Sequence, residues 1–164
     1  MSSWKVELEH RVGAPPDVVF DYFTDPEKYR RWKGIDAELD PRPGGIYRVT
    51  MRPEVWVSGQ YIVVDRPHRL VMTWGFESTL DVPEVVTEVP PGASTVEFTF
   101  MPDRDGTIVR VRHAELPSAE SVRFHTLGWN NYLERLGDVV EGKDPGVDRM
   151  ASLGRDLRGR STGG

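Results

Sequence analysis

The chain begins with a stretch in which apolar and polar side chains alternate. Charged residues occupy every second position of residues 6–12. A period of two predicts a β-strand with one buried face. The alternation stops at two prolines, and Asp17 with the residues after it predicts a short helix, because an acid and a proline both suit a helix N-terminus. A second short helix is predicted over 27–32, ending by Gly34.

Five further segments are rich in valine, threonine and aromatic residues, a composition typical of strands. They are residues 46–52, 55–64, 69–76, 95–102 and 107–116. The stretch 78–94 carries three prolines and no clean period, so it is predicted to be an extended loop or an edge strand. Long loops in compact domains are often functional.

The longest helical pattern lies near the C-terminus, over 118–141. Apolar and aromatic residues recur there at i, i+3, i+4 and i+7, which predicts a helix with one buried face. After Gly142 apolar residues become sparse. We therefore predict one folded domain over 1–145 and a flexible tail over 146–164.

The order of these elements predicts an α+β fold. A curved antiparallel sheet of about six or seven strands surrounds one long helix, and two short helices follow the first strand. One helix is too narrow to fill the concave side of such a sheet, so bulky side chains fill the gap or a cavity remains. The candidate cavity residues are Trp32, Trp56, Trp74, Phe76, Phe98, Phe100, His113, His125, Trp129 and Leu133.

Each candidate has an alternative role. Any one aromatic side chain can be an ordinary core residue, since aromatic residues dominate cores. His125 and His113 can be buried neutral histidines that bond a backbone carbonyl or a hydroxyl. The cavity prediction therefore depends on the architecture and not on one residue.

Composition and motifs exclude several functions. The 164 residues carry a net charge of −5 and no cysteine, which disfavours nucleic-acid binding and excludes disulfides and thiolate metal sites. No phosphate loop, dinucleotide fingerprint, serine elbow or metal-binding histidine pair is present. We expect no cofactor, no metal and no recognisable catalytic set. No apolar run is long enough for a membrane helix, so a cytoplasmic protein is expected.

Several motifs together resemble a known family. The segment APPDVVFDYFTDPEKYRRW over 14–32, GIYRV over 45–49, PHRLVMTW over 67–74 and HTLGWNNYL over 125–133 resemble the SRPBCC superfamily. The branch is the one similar to the C-terminal domain of the activator of heat-shock protein ATPase. The resemblance implies a START-like helix-grip fold with a ligand cavity, and it implies that His125 and Trp129 face that cavity.

The fold alone does not fix the function, because one fold hosts many activities. The leading prediction is a protein that binds or sequesters a small hydrophobic or aromatic molecule. One alternative is a cyclase- or aromatase-like enzyme in which His125, Tyr61 or Tyr132 moves a proton. Another is a co-chaperone-like interaction module. The sequence leaves open whether the chain forms a homodimer.

Overall fold

The computed structural model of the chain describes residues 4–150. The strands within this range are β1 (Trp4–Val12), β2 (Asp36–Leu39), β3 (Ile46–Arg52), β4 (Val55–Asp65), β5 (Arg69–Ser78), β6 (Ser94–Asp103) and β7 (Gly106–Leu116). The helices are α1 (Pro16–Thr24), α2 (Pro26–Trp32), α3 (Glu84–Thr87) and α4 (Ala119–Val140).

The seven strands form one antiparallel sheet in the order β1-β7-β6-β5-β4-β3-β2. β1 and β2 lie at opposite edges, because α1 and α2 carry the chain across between them. From β2 onward each strand pairs with the next, and β7 returns to lie beside β1. The predicted helix-grip fold is confirmed.

The core lies between one face of the sheet and one face of α4. On β6, Phe98 and Phe100 are buried while Thr99 between them is partly exposed. α4 has 22 residues and buries Trp129, Leu133 and Leu136 on the side toward the sheet. Full burial of each large apolar side chain contributes roughly 1.5–3 kcal/mol, so this face fixes the helix on the sheet. No helix in the described part of the chain is long and apolar enough to cross a membrane.

The end of α2 is fixed from two sides. The indole Nε1 of Trp32 donates a hydrogen bond to the Tyr22 carbonyl at 2.8 Å, and Arg135 of α4 donates to the Trp32 carbonyl at 3.1 Å. Gly34 then turns the chain with a φ of 79°, and a Cβ there would lie 2.7 Å from Val49 Cγ1. These contacts fix the backbone on both sides of Lys33, the residue between Trp32 and Gly34.

Two short elements were not predicted. β2 has four residues, of which only Ala37 is fully buried, so it carries too little periodicity to detect. α3 is one turn inside the segment 78–94 that was predicted as an extended loop or edge strand, with Pro83 at its N-cap. The long helix is one residue shorter at each end than predicted. Ser118 is its N-cap and accepts a hydrogen bond from Ser121 N at 3.0 Å, and Glu141 is its C-cap.

Residues 146–150 lie against α4, at the beginning of the segment that the sequence predicts to be flexible. Arg135 donates a hydrogen bond to the Gly146 carbonyl at 2.7 Å, and the Tyr132 hydroxyl donates to the Asp148 carboxylate at 2.8 Å. We call residues 146–150 the C-terminal strap. The rest of the predicted tail lies outside the described residues.

Candidate ligand-binding site

A cavity of about 100 Å³ lies between β3, β4, β5, the region of α3, α4 and the C-terminal strap. Its lining is mainly apolar and aromatic. The lining residues are Lys33, Met51, Arg52, Val55, Val57, Trp74, Phe76, Val82, Pro83, Val86, Phe124, His125, Gly128, Trp129, Tyr132, Asp148 and Met150. An engineered apolar cavity of about 150 Å³ in another protein holds benzene, so this smaller cavity suits a short branched chain as it stands and one small ring only if its lining moves slightly.

Four of the ten predicted cavity residues line this space. Trp74 and Phe76 alternate on β5, and His125 and Trp129 lie one turn apart on α4. The Trp74 and Trp129 ring centroids are 5.1 Å apart, and those of Phe76 and His125 are 5.8 Å apart. Sheet and helix therefore bring these four residues together as two facing pairs.

Four other predicted residues lie outside the cavity lining, in the core beside it. Trp32, Phe98 and Phe100 surround Phe23 of α1, with ring centroids 4.9, 4.8 and 5.0 Å from its ring. Leu133 is fully buried in the same core. These side chains fill the space under α1 and α2, and the cavity is left at the other end of α4.

Trp56 lies on the opposite face of the sheet. Its neighbours on β4, Val55 and Val57, line the cavity, and adjacent residues of a strand point to opposite faces. The Trp56 ring packs instead against the Arg48 guanidinium, whose carbon lies 4.2 Å from the ring centroid.

His113 lies behind the cavity wall and holds Trp129 in place. The Trp129 indole N–H can only donate, and it donates to His113 Nδ1 at 3.1 Å. His113 Nε2 therefore carries the proton and donates to Ser94 Oγ at 2.8 Å, while Ser94 donates to the Trp74 carbonyl at 3.0 Å. Burial lowers the pKa of His113 well below its usual value, which keeps the imidazole neutral in this chain of bonds.

His125 has the opposite tautomer. Its Nδ1 lies 2.8 Å from the Ser121 carbonyl oxygen, and because a carbonyl can only accept, Nδ1 carries the proton. The lone pair of Nε2 has no partner among the described residues. Burial lowers the pKa of His125 to about 4, so the ring is neutral near pH 7. Within residues 4–150 no group of three histidine, aspartate or glutamate side chains could hold a metal ion.

Lys33 is the cavity residue with the most unusual environment. It directly follows α2 and its side chain is 2% exposed. Its Nζ lies 3.8 Å from the Trp74 ring centroid, 4.5 Å from that of Trp129 and 5.5 Å from that of Tyr132. Burial lowers the pKa of Lys33 well below its usual value, and the charge of Asp148 opposes this shift only in part.

Three buried polar side-chain atoms in the described part of the chain have no hydrogen-bond partner. They are Lys33 Nζ, Trp74 Nε1 and His125 Nε2, and all three belong to residues that line the cavity. Buried polar groups in folded proteins are nearly always satisfied, so each exception calls for a physical explanation. The tautomer of His125 makes its nitrogen an acceptor, whereas the indole N–H and the amine are donors.

The strap adds one charged group to this wall. The Asp148 carboxylate accepts hydrogen bonds from Tyr132 at 2.8 Å and from the Asn131 side chain at 3.1 Å. Burial, together with this carboxylate, raises the pKa of Tyr132 well above its usual value. Asp148 and Met150 both line the cavity, so the strap closes one side of it.

Sequence reasoning missed Lys33. It follows Arg30 and Arg31 with only Trp32 between them, and a basic segment of this kind is typical of a solvent-exposed surface. The one local signal is that Lys33 lies between a tryptophan and a glycine, where a fixed turn can direct a side chain inward. That signal identifies an inward position only when the path of α2 across the sheet is known.

Comparisons with known proteins agree with the fold. The family model described as "Activator of Hsp90 ATPase homolog 1-like protein" matches residues 13–141. An AHSA1-like protein from Rhizobium etli, solved by NMR, is 38% identical and has a TM-score of 0.68, covering 89% of this chain and 87% of that one. No curated protein matches the sequence.

Two crystal structures show the same fold at lower identity. CalU16 from Micromonospora echinospora is 27% identical with a TM-score of 0.67, covering 93% of this chain and 82% of that one. An Hsp90 activator from Plasmodium falciparum is 23% identical with a TM-score of 0.65, covering 84% and 96%. The chain therefore belongs to the family of activator of Hsp90 ATPase homolog 1-like proteins.

Proposed function

We propose that this protein binds a small, mostly apolar molecule with one polar end in the cavity between the sheet and α4. The observation that carries the proposal is that three buried polar atoms without a hydrogen-bond partner among the described residues belong to residues that line one apolar cavity. Leaving a buried donor or acceptor unsatisfied costs roughly 1–3 kcal/mol. A ligand that supplies the missing partners recovers part of this cost, so the cavity favours a ligand of complementary polarity.

The chemistry of the wall defines that ligand. Trp74 Nε1 and Lys33 Nζ call for an acceptor such as a carbonyl or carboxylate oxygen, and His125 Nε2 calls for a donor such as a hydroxyl group. The remaining lining is aromatic and aliphatic, which suits a ring. A volume of about 100 Å³ is smaller than that of the cavity that holds benzene, so a substituted ring requires the strap or α3 to move.

A cyclase-like enzyme is the second candidate, because one specific observation favours it. The free lone pair of His125 Nε2 can accept a proton from a bound substrate, as a general base does. A pKa of about 4 makes it a weak base. The third function considered, a protein-interaction module, has less support. The large exposed apolar side chains of the described residues are distributed over β1, α1, the turn between α2 and β2, β3, β4, α4 and the strap.

Two tryptophans give a matched test of the binding site. Trp74→Phe removes the unpartnered indole N–H from the cavity wall, whereas Trp56→Phe makes the same change on the other face of the sheet. Binding of benzaldehyde, phenol, benzoate and toluene would be measured by calorimetry and by the shift in melting temperature. A ligand that bonds Trp74 Nε1 should bind about 5-fold more weakly to Trp74→Phe, the value of one ordinary hydrogen bond.

The control variant Trp56→Phe should bind every compound as the wild type does. If none of the four compounds shows binding by calorimetry or a shift in melting temperature, the proposed function is contradicted for a ligand of this size. Equal losses in both variants would place the binding site elsewhere. Conversion of a bound compound, abolished in His125→Phe while binding persists, would favour the enzyme.

A further inference from the structure

The four lysines of the chain fall into two environments. Lys5, Lys28 and Lys143 lie at the surface, and their Nζ atoms pair with carboxylates of Glu7, Asp21 and Glu141 at 3.3, 3.7 and 3.3 Å. Lys33 is 2% exposed, and its Nζ has no hydrogen-bond partner among the described residues. Lys33 is thus the one lysine that lines the cavity, and its amine is buried among the side chains there.

The surroundings of Lys33 suit an amine that reacts through its lone pair. An ammonium at this place would give up its hydration, and the described residues offer it aromatic ring faces but no carboxylate within ion-pair distance. Desolvation is the larger effect, so the uncharged form is favoured. Burial indeed lowers the pKa of Lys33. Uncharged lysines in desolvated pockets are the ones that act as nucleophiles toward carbonyl carbons.

We propose that Lys33 Nζ captures an aldehyde or ketone in this cavity as an imine, which makes small apolar carbonyl compounds the ligand class of the site. This inference rests on the proposed function, because it requires that the cavity admits a ligand. Before water leaves, the carbonyl oxygen of such a compound could accept a hydrogen bond from Trp74 Nε1.

The reaction needs no further reagent. The Nζ lone pair forms a bond to the carbonyl carbon, and the carbonyl π pair moves to the oxygen, which takes up a proton. Nζ loses a proton to a base, and His125 Nε2 on the same cavity lining is an available acceptor. The carbinolamine hydroxyl takes up the proton that His125 received, the C–O bond breaks as the nitrogen lone pair forms the C=N bond, and water leaves. The product is the protonated imine, which gives the neutral imine when its N–H proton passes to solvent. One water is released for each carbonyl captured.

The aromatic rings around Nζ support the product as well. A protonated imine is a cation, and cations are stabilised over the faces of tryptophan and tyrosine rings. Trp74 and Trp129 lie within 4.5 Å of the nitrogen, measured to the ring centroids. Asp148, whose charge already acts on Lys33, supplies a negative group on the same wall.

Reductive trapping tests the proposal directly on the full-length protein. Benzaldehyde is added at pH 7, sodium borohydride reduces any imine to a stable benzylamine, and intact-mass and peptide analysis locate the benzyl group. We expect one benzyl group per chain, on Lys33, with several-fold less on Lys143. Lys33→Arg should lose this adduct, and Lys143→Arg should keep it.

The outcomes separate the imine from the binding function. Benzyl alcohol and benzoate match benzaldehyde in size but form no imine, so their binding by calorimetry reports on the cavity alone. If they bind while Lys33 carries no adduct, the imine proposal is wrong and the binding site stands. If benzoate alone binds and Lys33→Arg retains it, Lys33 is an ammonium counter-ion, which also overturns the imine. If nothing binds and no adduct forms, both proposals fail.

Discussion

Replacing Lys33 by methionine should make the folded protein more stable, although most substitutions of fully buried residues do the reverse. Methionine keeps the length and most of the volume of the side chain, so contacts with Trp74 and Trp129 survive. What disappears is an amine with no hydrogen-bond partner among the described residues. The unmet desolvation cost of such a group is roughly 1–3 kcal/mol, and more when it is charged.

The gain should depend on pH, and the sign follows from proton uptake. The folded pKa of Lys33 is lowered by burial, whereas the unfolded lysine has an ordinary pKa near 10.5. Between these two values unfolding takes up a proton, so the stability of the wild type rises as pH increases. The contribution approaches about 1.4 kcal/mol per pH unit. Lys33→Met lacks this uptake, so its advantage is largest at low pH and shrinks toward pH 10.5.

Urea unfolding of the two proteins between pH 7 and pH 10 would measure this difference. A gain of about 1–3 kcal/mol near pH 10, where the folded amine is uncharged and the unfolded amine is partly so, corresponds to a rise of about 3–10 °C in melting temperature for a chain of this size, and the gain should grow as the pH is lowered toward 7. Lys143→Met, an exposed control, should change stability by less than about 0.5 kcal/mol. A Lys33→Met variant that is less stable than the wild type, with a parallel pH profile, would refute the reasoning.

Two further predictions follow from buried histidines and from glycines. Burial lowers the pKa of His125 to about 4 and that of His113 well below 6.5. Between pH 6.5 and pH 4 the unfolded histidines therefore bind protons that the folded ones do not. The free energy of unfolding should decrease as pH falls through this range. Urea unfolding at each pH would show a flat profile if the histidines were exposed. In Gly75→Ala the new Cβ would lie 2.0 Å from the Pro90 carbonyl oxygen, so a loss of about 1–3 kcal/mol is expected. Gly137→Ala, with open space around it, should instead stabilise α4 by about 0.5–1 kcal/mol. The glycine prediction is contradicted if thermal unfolding shows that both variants raise, or both lower, the melting temperature.

Much of the fold could be predicted because its patterns are long. The strands 95–102 and 107–116 and the helix 118–141 each repeat their period several times, and one buried face is then the only arrangement that fits. β2 and α3 escaped prediction because each has four residues, too few for a period to show. Their positions depend on pairing with β3 and on contacts with α4, which are tertiary effects.

The cavity could be predicted only in part, and the reason is geometric. Periodicity places Trp74, Phe98 and Trp129 on inward faces, but it does not say at which end of α4 the aromatic residues fill the core. Contact with Phe23 of α1 makes the difference. The rings of Trp32, Phe98 and Phe100 pack against it and fill the core under α1 and α2. Trp56 was predicted to line the cavity because it is an aromatic residue on a strand, and this was wrong. Its neighbours Val55 and Val57 occupy the face of β4 toward the cavity, so Trp56 lies on the other face.

The unpartnered atoms at the cavity give a physical account of why these residues stand where they do. A core selected only for stability would carry apolar side chains in place of Lys33 and His125, since an unsatisfied polar group destabilises the fold. A ligand that bonds these groups returns stability only when it is bound, so the same cost becomes affinity and specificity. A Lys33→Met protein that is more stable yet no longer captures a carbonyl compound would separate the two contributions at a single residue.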